Sequence, residues 1–240
     1  MAASSPQLPL ALRYPPDQRL DTLVTDIPAL IPQLRDFALA GVRRALYVAG
    51  APGTGKTHLA IGVCADAERL GRRAAYLPLR SVAGRLRDAS EDAHRADVIA
   101  IDGLDCIAGD RAEEIALFDL HNRAHDAGRS VLYTASEPPD ALGLVLPDLR
   151  SRLAQSVHVT LPQLDDAGRH ELLRLRADRR GMQLDAATID WLLRRVDRDV
   201  PALTALLDRL DRASLASQRR LTVPFVRQVL ADDDVRAGTP

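Results

Sequence analysis

One loop constrains the fold more than any other part of the sequence: Gly50-Ala51-Pro52-Gly53-Thr54-Gly55-Lys56-Thr57. It matches the pattern G-x-x-x-x-G-K-[ST] at every fixed position, follows the apolar run 45–49 and leads into a helical pattern over 57–70. In such a strand–loop–helix unit the glycines let backbone N–H groups surround a polyphosphate, and the helix N-terminus adds positive potential. The loop therefore predicts a nucleotide-binding site.

Two side chains of this loop carry the expected chemistry. Lys56 should reach the β- and γ-phosphates, and the Thr57 hydroxyl should bind Mg²⁺. The chain has 32 lysine and arginine residues, and Lys56 is its single lysine. A compact ammonium thus stands at the one position where a guanidinium fork would not fit. The predicted nucleotide-binding residues are Gly50, Pro52, Gly53, Thr54, Gly55, Lys56, Thr57 and the adjoining His58.

Composition and charge narrow the class of protein. The 240 residues are 46% hydrophobic with a net charge of −1, which indicates a globular chain whose DNA contacts would be indirect or weak. The two cysteines, Cys64 and Cys106, lie in apolar surroundings and favour a reducing compartment. No apolar run reaches transmembrane length and no secretory signal is evident, so we expect a cytoplasmic protein without membrane contact.

Four more apolar runs follow the P-loop in the manner of buried strands. They cover 74–79, 98–102, 130–134 and 157–160 and alternate with helical patterns. Repeated strand–helix units around a P-loop predict a three-layer α/β fold with a parallel sheet of five strands.

The run 98–102 ends in an acid, Asp102. An aspartate at this strand end would hold Mg²⁺, usually through water, opposite Thr57. The next residue is Gly103. P-loop ATPases generally carry a second acid at this position, which orients the attacking water. Asp105 lies two residues further on, a spacing that leaves open whether its carboxylate reaches the site. The sequence therefore predicts weak or absent hydrolysis.

Two further polar clusters are considered as candidate sites. Thr134 and Ser136 follow the fourth strand and could sense a γ-phosphate or simply precede a turn. His121 and His125 stand four residues apart on a predicted helix. Without a third ligand nearby they are expected to form a solvated face and not a metal site.

The pattern changes at Pro162, after which the sequence is all helical. Helices are predicted over 165–180, 185–196, 201–217 and 223–230, with aspartate or threonine caps. The predicted organisation is a flexible tail (1–16), a P-loop domain (17–162), a small helical lid domain (163–231) and a disordered tail (232–240).

The N-terminal tail contains Gln7, Leu8, Leu10 and Leu12 in the spacing Q-L-x-L-x-L. An extended segment of this kind can dock in an apolar groove, with leucines in pockets and the amide hydrogen-bonded. The spacing resembles the bacterial sliding-clamp-binding motif. The alternative is a tail that folds back on its own domain.

Arg150 and Arg152 precede the last strand within a Ser-Arg-Leu pattern. With the P-loop domain, the strand-end aspartate and the helical lid, this resembles the DnaA family of bacterial replication initiators in the AAA+ superfamily. Segments 101–110, 118–123, 146–153 and 210–226 look most similar to the branch of that family that inactivates DnaA. The sequence stops where DnaA would continue into a DNA-binding domain, and it carries the clamp-type motif in place of a long N-terminal domain.

This resemblance implies a mechanism. An ADP-bound protein, with Mg²⁺, would dock on the DNA-loaded sliding clamp through Gln7, Leu8, Leu10 and Leu12. It would then present Arg152 as an arginine finger to ATP held by DnaA, stimulate its hydrolysis and prevent re-initiation. Arg150 fits the family's pattern less well. The resemblance also allows a homodimer.

One departure from the family pattern bears on catalysis. Many AAA+ lids supply an arginine at the start of their third helix, where this sequence has Pro201. Together with Gly103, the proline favours a nucleotide-bound partner that hydrolyses weakly or not at all. The alternatives are an AAA+ ATPase or helicase-loader-like motor, and a nucleotide-dependent scaffold that binds DnaA.

Overall fold

A computed structural model describes Tyr14 and residues 17–39, 44–196, 199–217 and 220–237. Five parallel strands form one sheet in the order β2-β3-β4-β1-β5. The strands are β1 (Ala45–Ala49), β2 (Ala74–Pro78), β3 (Val98–Asp102), β4 (Ser130–Ala135) and β5 (Val157–Thr160). Each agrees with the corresponding predicted run to within one residue.

Two helical layers cover the sheet, because successive side chains of each strand point to opposite faces. In β1, Leu46 and Val48 pack in one core with α1 (Leu30–Leu39) and α2 (Lys56–Arg69). Tyr47 and Ala49 pack in the other core. The helices on that face are α3 (Leu79–Val82), α4 (Leu86–Ala93), α5 (Arg111–Asp126) and α6 (Pro147–Ala154). This is the predicted three-layer α/β architecture.

A buried carboxylate fixes the start of α6, the helix that carries Arg152. Glu114, on α5, is fully buried. It accepts hydrogen bonds from the backbone N–H groups of Gly109 (2.8 Å), Val145 (3.0 Å) and Leu146 (2.7 Å). Three donors around one carboxylate satisfy the charge that burial would otherwise penalise. Glu114 therefore joins the loop after β3 to the loop before α6.

The lid has four helices and its own apolar core. They are α7 (Asp166–Arg179), α8 (Ala186–Leu193), α9 (Val200–Ser217) and α10 (Val223–Ala237). The cap predicted at Asp185 is confirmed, since its carboxylate accepts from Thr188 N at 2.7 Å. Asp165 caps α7 in the same way and accepts from Gly168 N at 2.7 Å. Helix α10 continues to Ala237, so the prediction of a disordered segment from residue 232 was wrong for 232–237.

None of the described helices combines the length and the hydropathy needed to cross a membrane.

Candidate nucleotide-binding site

The P-loop connects β1 to α2 and turns through two glycines in the left-handed region. Gly53 has φ +81° and Gly55 has φ +93°, a conformation that residues with a Cβ atom rarely adopt. A Cβ atom on Gly55 would also lie 3.2 Å from the Leu23 Cδ1 atom. The Thr54 hydroxyl donates to the Ala51 carbonyl at 2.9 Å and closes the loop. The predicted motif thus has the sharp turn that its glycines indicate.

A cleft of about 1130 Å³ lies beside this loop, between the carboxyl ends of the strands and the lid. Its lining includes residues from the P-loop, the strand ends and the lid, together with Asp17, Gln18, Tyr76, Arg80 and Ser81. The P-loop supplies Pro52, Gly53, Gly55, Lys56 and Thr57; the strand ends supply Asp102, Gly103, Asp105, Thr134 and Ser136; the lid supplies Arg176, Arg180, Pro201 and Thr204. Open parallel sheets bind ligands at this edge.

Lys56 lies over the P-loop at the wall of the cleft. Its ammonium donates to the carbonyl oxygens of Gly50 at 2.5 Å and Ala51 at 2.9 Å. Burial lowers the pKa of Lys56, and the carboxylates of Asp105 and Asp102 act in the opposite direction. The Lys56 ammonium is thus a compact cation held where a polyphosphate would bind.

The Asp102 carboxylate accepts hydrogen bonds from hydroxyl groups on three different elements. Thr57 Oγ1 and the Tyr76 hydroxyl each donate to Asp102 Oδ2 at 2.8 Å, and Thr134 Oγ1 donates to Asp102 Oδ1 at 2.5 Å. The structure therefore brings together Thr57 and Asp102, which the sequence analysis placed opposite each other. Burial raises the pKa of Tyr76, and the charge of Asp102 adds to the shift, so this tyrosine stays a donor.

Tyr76 was missed by sequence reasoning. It stands inside an apolar run, where an aromatic residue indicates only a strand. The signal was available in principle, because Tyr76 lies near the carboxyl end of a strand next to β3.

Asp105 reaches the cleft, a point that its spacing in the sequence left open. Its carboxylate accepts hydrogen bonds from the Ser136 hydroxyl and from Ser136 N, the latter at 3.1 Å. A short 3₁₀ helix, Leu104–Cys106, follows Gly103 and turns the carboxylate towards the strand ends. Thr134 and Ser136 thus both belong to the site, with their side chains fixed by Asp102 and Asp105.

His58 does not line the cleft. Its side chain is buried, and its Nε2 atom lies 2.8 Å from the Arg19 carbonyl oxygen and 3.2 Å from the Thr22 hydroxyl. Gly50 and Thr54 likewise shape the loop from behind and are not among the lining residues. His58 joins the segment before α1 to the first turn of α2.

The lid contributes charges that the sequence analysis did not single out. Arg176 on α7 and Arg180, the residue directly after α7, line the cleft, and Pro201 on α9 lies against the P-loop. A Cβ atom on Gly53 would lie 3.2 Å from the Pro201 Cδ atom. The two arginines are four residues apart and share a helix face. In so arginine-rich a chain this spacing alone carries little information.

Arg152 lies at the other end of the sheet. It lines a second pocket, of about 330 Å³, at the amino-terminal ends of β1, β4 and β5. The pocket is basic, with Arg44, Arg129, His121 and His125 also in its wall. The solvated face predicted for the histidines was wrong for His121, which is buried with Nδ1 2.7 Å from the Tyr133 hydroxyl.

The predicted clamp-binding residues Gln7, Leu8, Leu10 and Leu12 lie outside the described residues.

Comparison with known protein families decides the assignment. The family model described as "Hda, lid domain" matches residues 166–230, and the model "ATPase family associated with various cellular activities (AAA)" matches residues 46–161. The chain combines an AAA domain with the lid domain of Hda, and is an Hda-like AAA+ protein. The predicted fold class is thereby confirmed.

Solved structures show the same fold. Domain III of the Thermotoga maritima replication initiation protein DnaA is 18% identical with a TM-score of 0.79, over 91% of this chain and 97% of that one. AMPPCP-bound DnaA from Aquifex aeolicus is 20% identical with a TM-score of 0.68, over 82% of this chain and 65% of that one. The Thermotoga maritima RuvB Holliday junction branch migration motor is 18% identical with a TM-score of 0.65, over 89% and 71%.

The buried position of His58 predicts a pH-dependent stability. Burial lowers the pKa of His58 below its ordinary value, and the nearby Arg176 adds to the shift. The unfolded chain binds a proton below about pH 6.5 while the folded chain resists it, so stability should fall as pH falls through that value. The loss at pH 5.5 has an upper limit of about 1.4 kcal/mol, which is reached if His58 stays neutral in the folded chain.

We therefore expect the free energy of unfolding of wild type to fall more between pH 7.5 and pH 5.5 than that of His58→Gln. Urea titrations followed by circular dichroism at both pH values measure the difference. Between pH 7.5 and pH 8.5 the two proteins should respond alike. An equal loss at pH 5.5 would show that His58 does not contribute.

Proposed function

We propose that the cleft holds an adenine nucleotide, ADP or ATP, together with Mg²⁺. The donor set fits, because Mg²⁺ is commonly held by a hydroxyl, a carboxylate reached through water, and phosphate oxygens. Thr57 and Asp102 offer that hydroxyl and carboxylate side by side, and Lys56 offers the cation for the phosphates. The likeness to an AMPPCP-bound DnaA supports an adenine nucleotide.

We further propose that Arg152 acts on a nucleotide held by another protein and not on the one in its own cleft. The supporting observation is positional. The cleft lies at the carboxyl ends of the strands, whereas Arg152 lines a pocket at their amino-terminal ends. A strand of five residues spans roughly 15 Å, so the Arg152 guanidinium is too far away to contact its own nucleotide. This separation carries the proposal.

The family resemblance suggests which protein that is. In an Hda-like AAA+ protein, Arg152 would meet ATP bound to DnaA and stabilise the charge that develops on the transferred γ-phosphoryl group. Arginine fingers supplied in this way raise the rate of hydrolysis about 10³- to 10⁵-fold. The product is ADP-bound DnaA, and further initiation of chromosome replication is suppressed. Docking on the DNA-loaded sliding clamp through Gln7, Leu8, Leu10 and Leu12 would bring the two proteins together.

Replacing Arg152 with alanine should return hydrolysis of DnaA-bound ATP close to its unstimulated rate, because the finger charge is lost. The measurement is single-turnover hydrolysis of labelled ATP on DnaA in the presence of clamp and DNA. Arg150→Ala is the matched control, since Arg150 is also exposed, lies on the same helix and does not line the basic pocket. Stimulation retained by Arg152→Ala would favour the scaffold alternative.

Substitutions in the N-terminal tail test clamp docking separately. A Gln7→Ala/Leu8→Ala variant should lose pull-down by the bacterial sliding clamp while it still binds ADP. Ser4→Ala/Ser5→Ala, in the same tail, serves as the control and should bind the clamp normally. Loss of ADP binding together with clamp binding would mean that the tail packs against its own domain.

A second candidate function is favoured by one observation. Asp105 lines the cleft beside Lys56, and a carboxylate there could orient an attacking water despite Gly103. The protein would then be an ATPase in its own right. We nevertheless expect weak turnover, because both carboxylate oxygens of Asp105 accept hydrogen bonds from Ser136.

Calorimetry and a steady-state ATPase assay on the isolated protein separate these functions. We expect ADP to bind at least as tightly as ATP, with slow hydrolysis that Asp105→Asn leaves unchanged. Tighter ATP binding with brisk turnover that Asp105→Asn abolishes would establish the ATPase instead.

A further inference from the structure

The lid side of the nucleotide cleft takes its positive charge from α7. Helix α9 lines the cleft with Val200, Pro201, Thr204, Ala205 and Asp208, none of which is a cation. Arg176 on α7 and Arg180 at its C-terminal cap line it as well. Any cation that the lid offers to a bound anion from these two helices is therefore one of these two arginines.

Arg180 is already paired with carboxylates. Its Nη2 atom lies 2.6 Å from Asp208 Oδ1 and 3.6 Å from Asp17 Oδ2. These bridges join α7 to α9 and to the segment before α1. Arg180 thus links the lid to the P-loop domain, and Asp208 and Asp17 offset part of its charge. Asp17 is shared with Arg179, and Arg180 Nη1 has no hydrogen-bond partner among the described residues.

Arg176 is in a different position. Its guanidinium donates to the Thr204 hydroxyl, which in turn donates to the Val200 carbonyl oxygen at 2.8 Å. Within the described residues, no carboxylate lies within 4.0 Å of this guanidinium to form a salt bridge. Burial lowers the pKa of Arg176 and the charge of Arg180 lowers it further, while the more distant carboxylates of Asp17 and Asp208 act in the opposite direction. A partly buried cation with a hydroxyl as its partner favours the entry of an anion.

We propose that Arg176 is the lid residue that binds the phosphate chain of the nucleotide, with Thr204 holding its guanidinium in place. This rests on the proposed nucleotide site. Lys56 and Arg176 would then contact the phosphates from the P-loop and from the lid, and the nucleotide would fix one domain against the other. The affinity gained from each additional phosphate should depend on Arg176.

The test compares ligands that differ only in phosphate number. Affinities for adenosine, AMP and ADP are measured by calorimetry on the full chain, for wild type and for Arg176→Met, which keeps the apolar stem and removes the charge. We expect ADP affinity to fall about 10- to 100-fold, as for a lost charge-assisted hydrogen bond, and adenosine affinity to stay within about threefold. Arg176→Lys should lie between the two.

Arg174→Met is the matched control. Arg174 lies on the same helix but is exposed, pairs with Glu171 and Asp178, and does not line the cleft. Removing its charge should leave all three affinities unchanged. An equal effect of Arg174→Met and Arg176→Met would mean that only the net charge of the lid matters, and would overturn the proposal.

Two other outcomes would also overturn it. Unchanged ADP affinity in Arg176→Met would show that this residue does not touch the nucleotide. An equal loss for adenosine and ADP would show that Arg176 only shapes the lid. The proposed nucleotide site fails separately, if wild type binds no ADP or if Lys56→Ala binds it as well as wild type does.

Discussion

The Asp102 carboxylate is the interaction on which the candidate site depends. It accepts hydroxyl donors from α2, β2 and β4, through Thr57, Tyr76 and Thr134. The strand register makes this possible, because Asp102 stands beside Thr134 across the β3–β4 pair. One carboxylate thus sets the positions of the first turn of the P-loop helix and of two strand ends. A cation that entered between Asp102 and Thr57 would find its ligands already placed.

Two sites that carry positive charge lie at opposite ends of the parallel sheet. At the carboxyl ends of the strands, Lys56 and the lid arginines surround a cleft that also contains Asp102 and Asp105. At the amino-terminal ends, Arg152 lies in a pocket whose other charged walls are basic. Carboxylates suit a site that binds a cation with its nucleotide, whereas their absence from the lining of the second pocket suits a surface that meets an anion on another molecule.

The sequence predicted the strands and the P-loop well, and the rest of the site less well, for physical reasons. Strands buried on both faces appear as continuous apolar runs, and Asp102 was recognisable as an acid at the end of such a run. Tyr76 and Asp105 join the site only through strand register and a short 3₁₀ turn, which no local pattern encodes. Arg176 could not be distinguished among so many arginines. Helix α10 extends beyond its predicted end at residue 230, because residues 231–237 contain no glycine or proline that would end a helix.

The connection between the two sites argues for a static role of the nucleotide. The chain runs from Arg152 through β5 to Leu161, and from there into α7 and Arg176. Strand β5 pairs with β1 along its whole length, and Leu161 N donates to the Ala49 carbonyl at 2.8 Å, directly before the P-loop. Strand β5 thus connects the Arg152 helix to the P-loop through backbone hydrogen bonds. Under the proposed function, a nucleotide in the cleft would hold the lid at one angle, and Arg152 would meet its partner protein from the opposite end of the sheet.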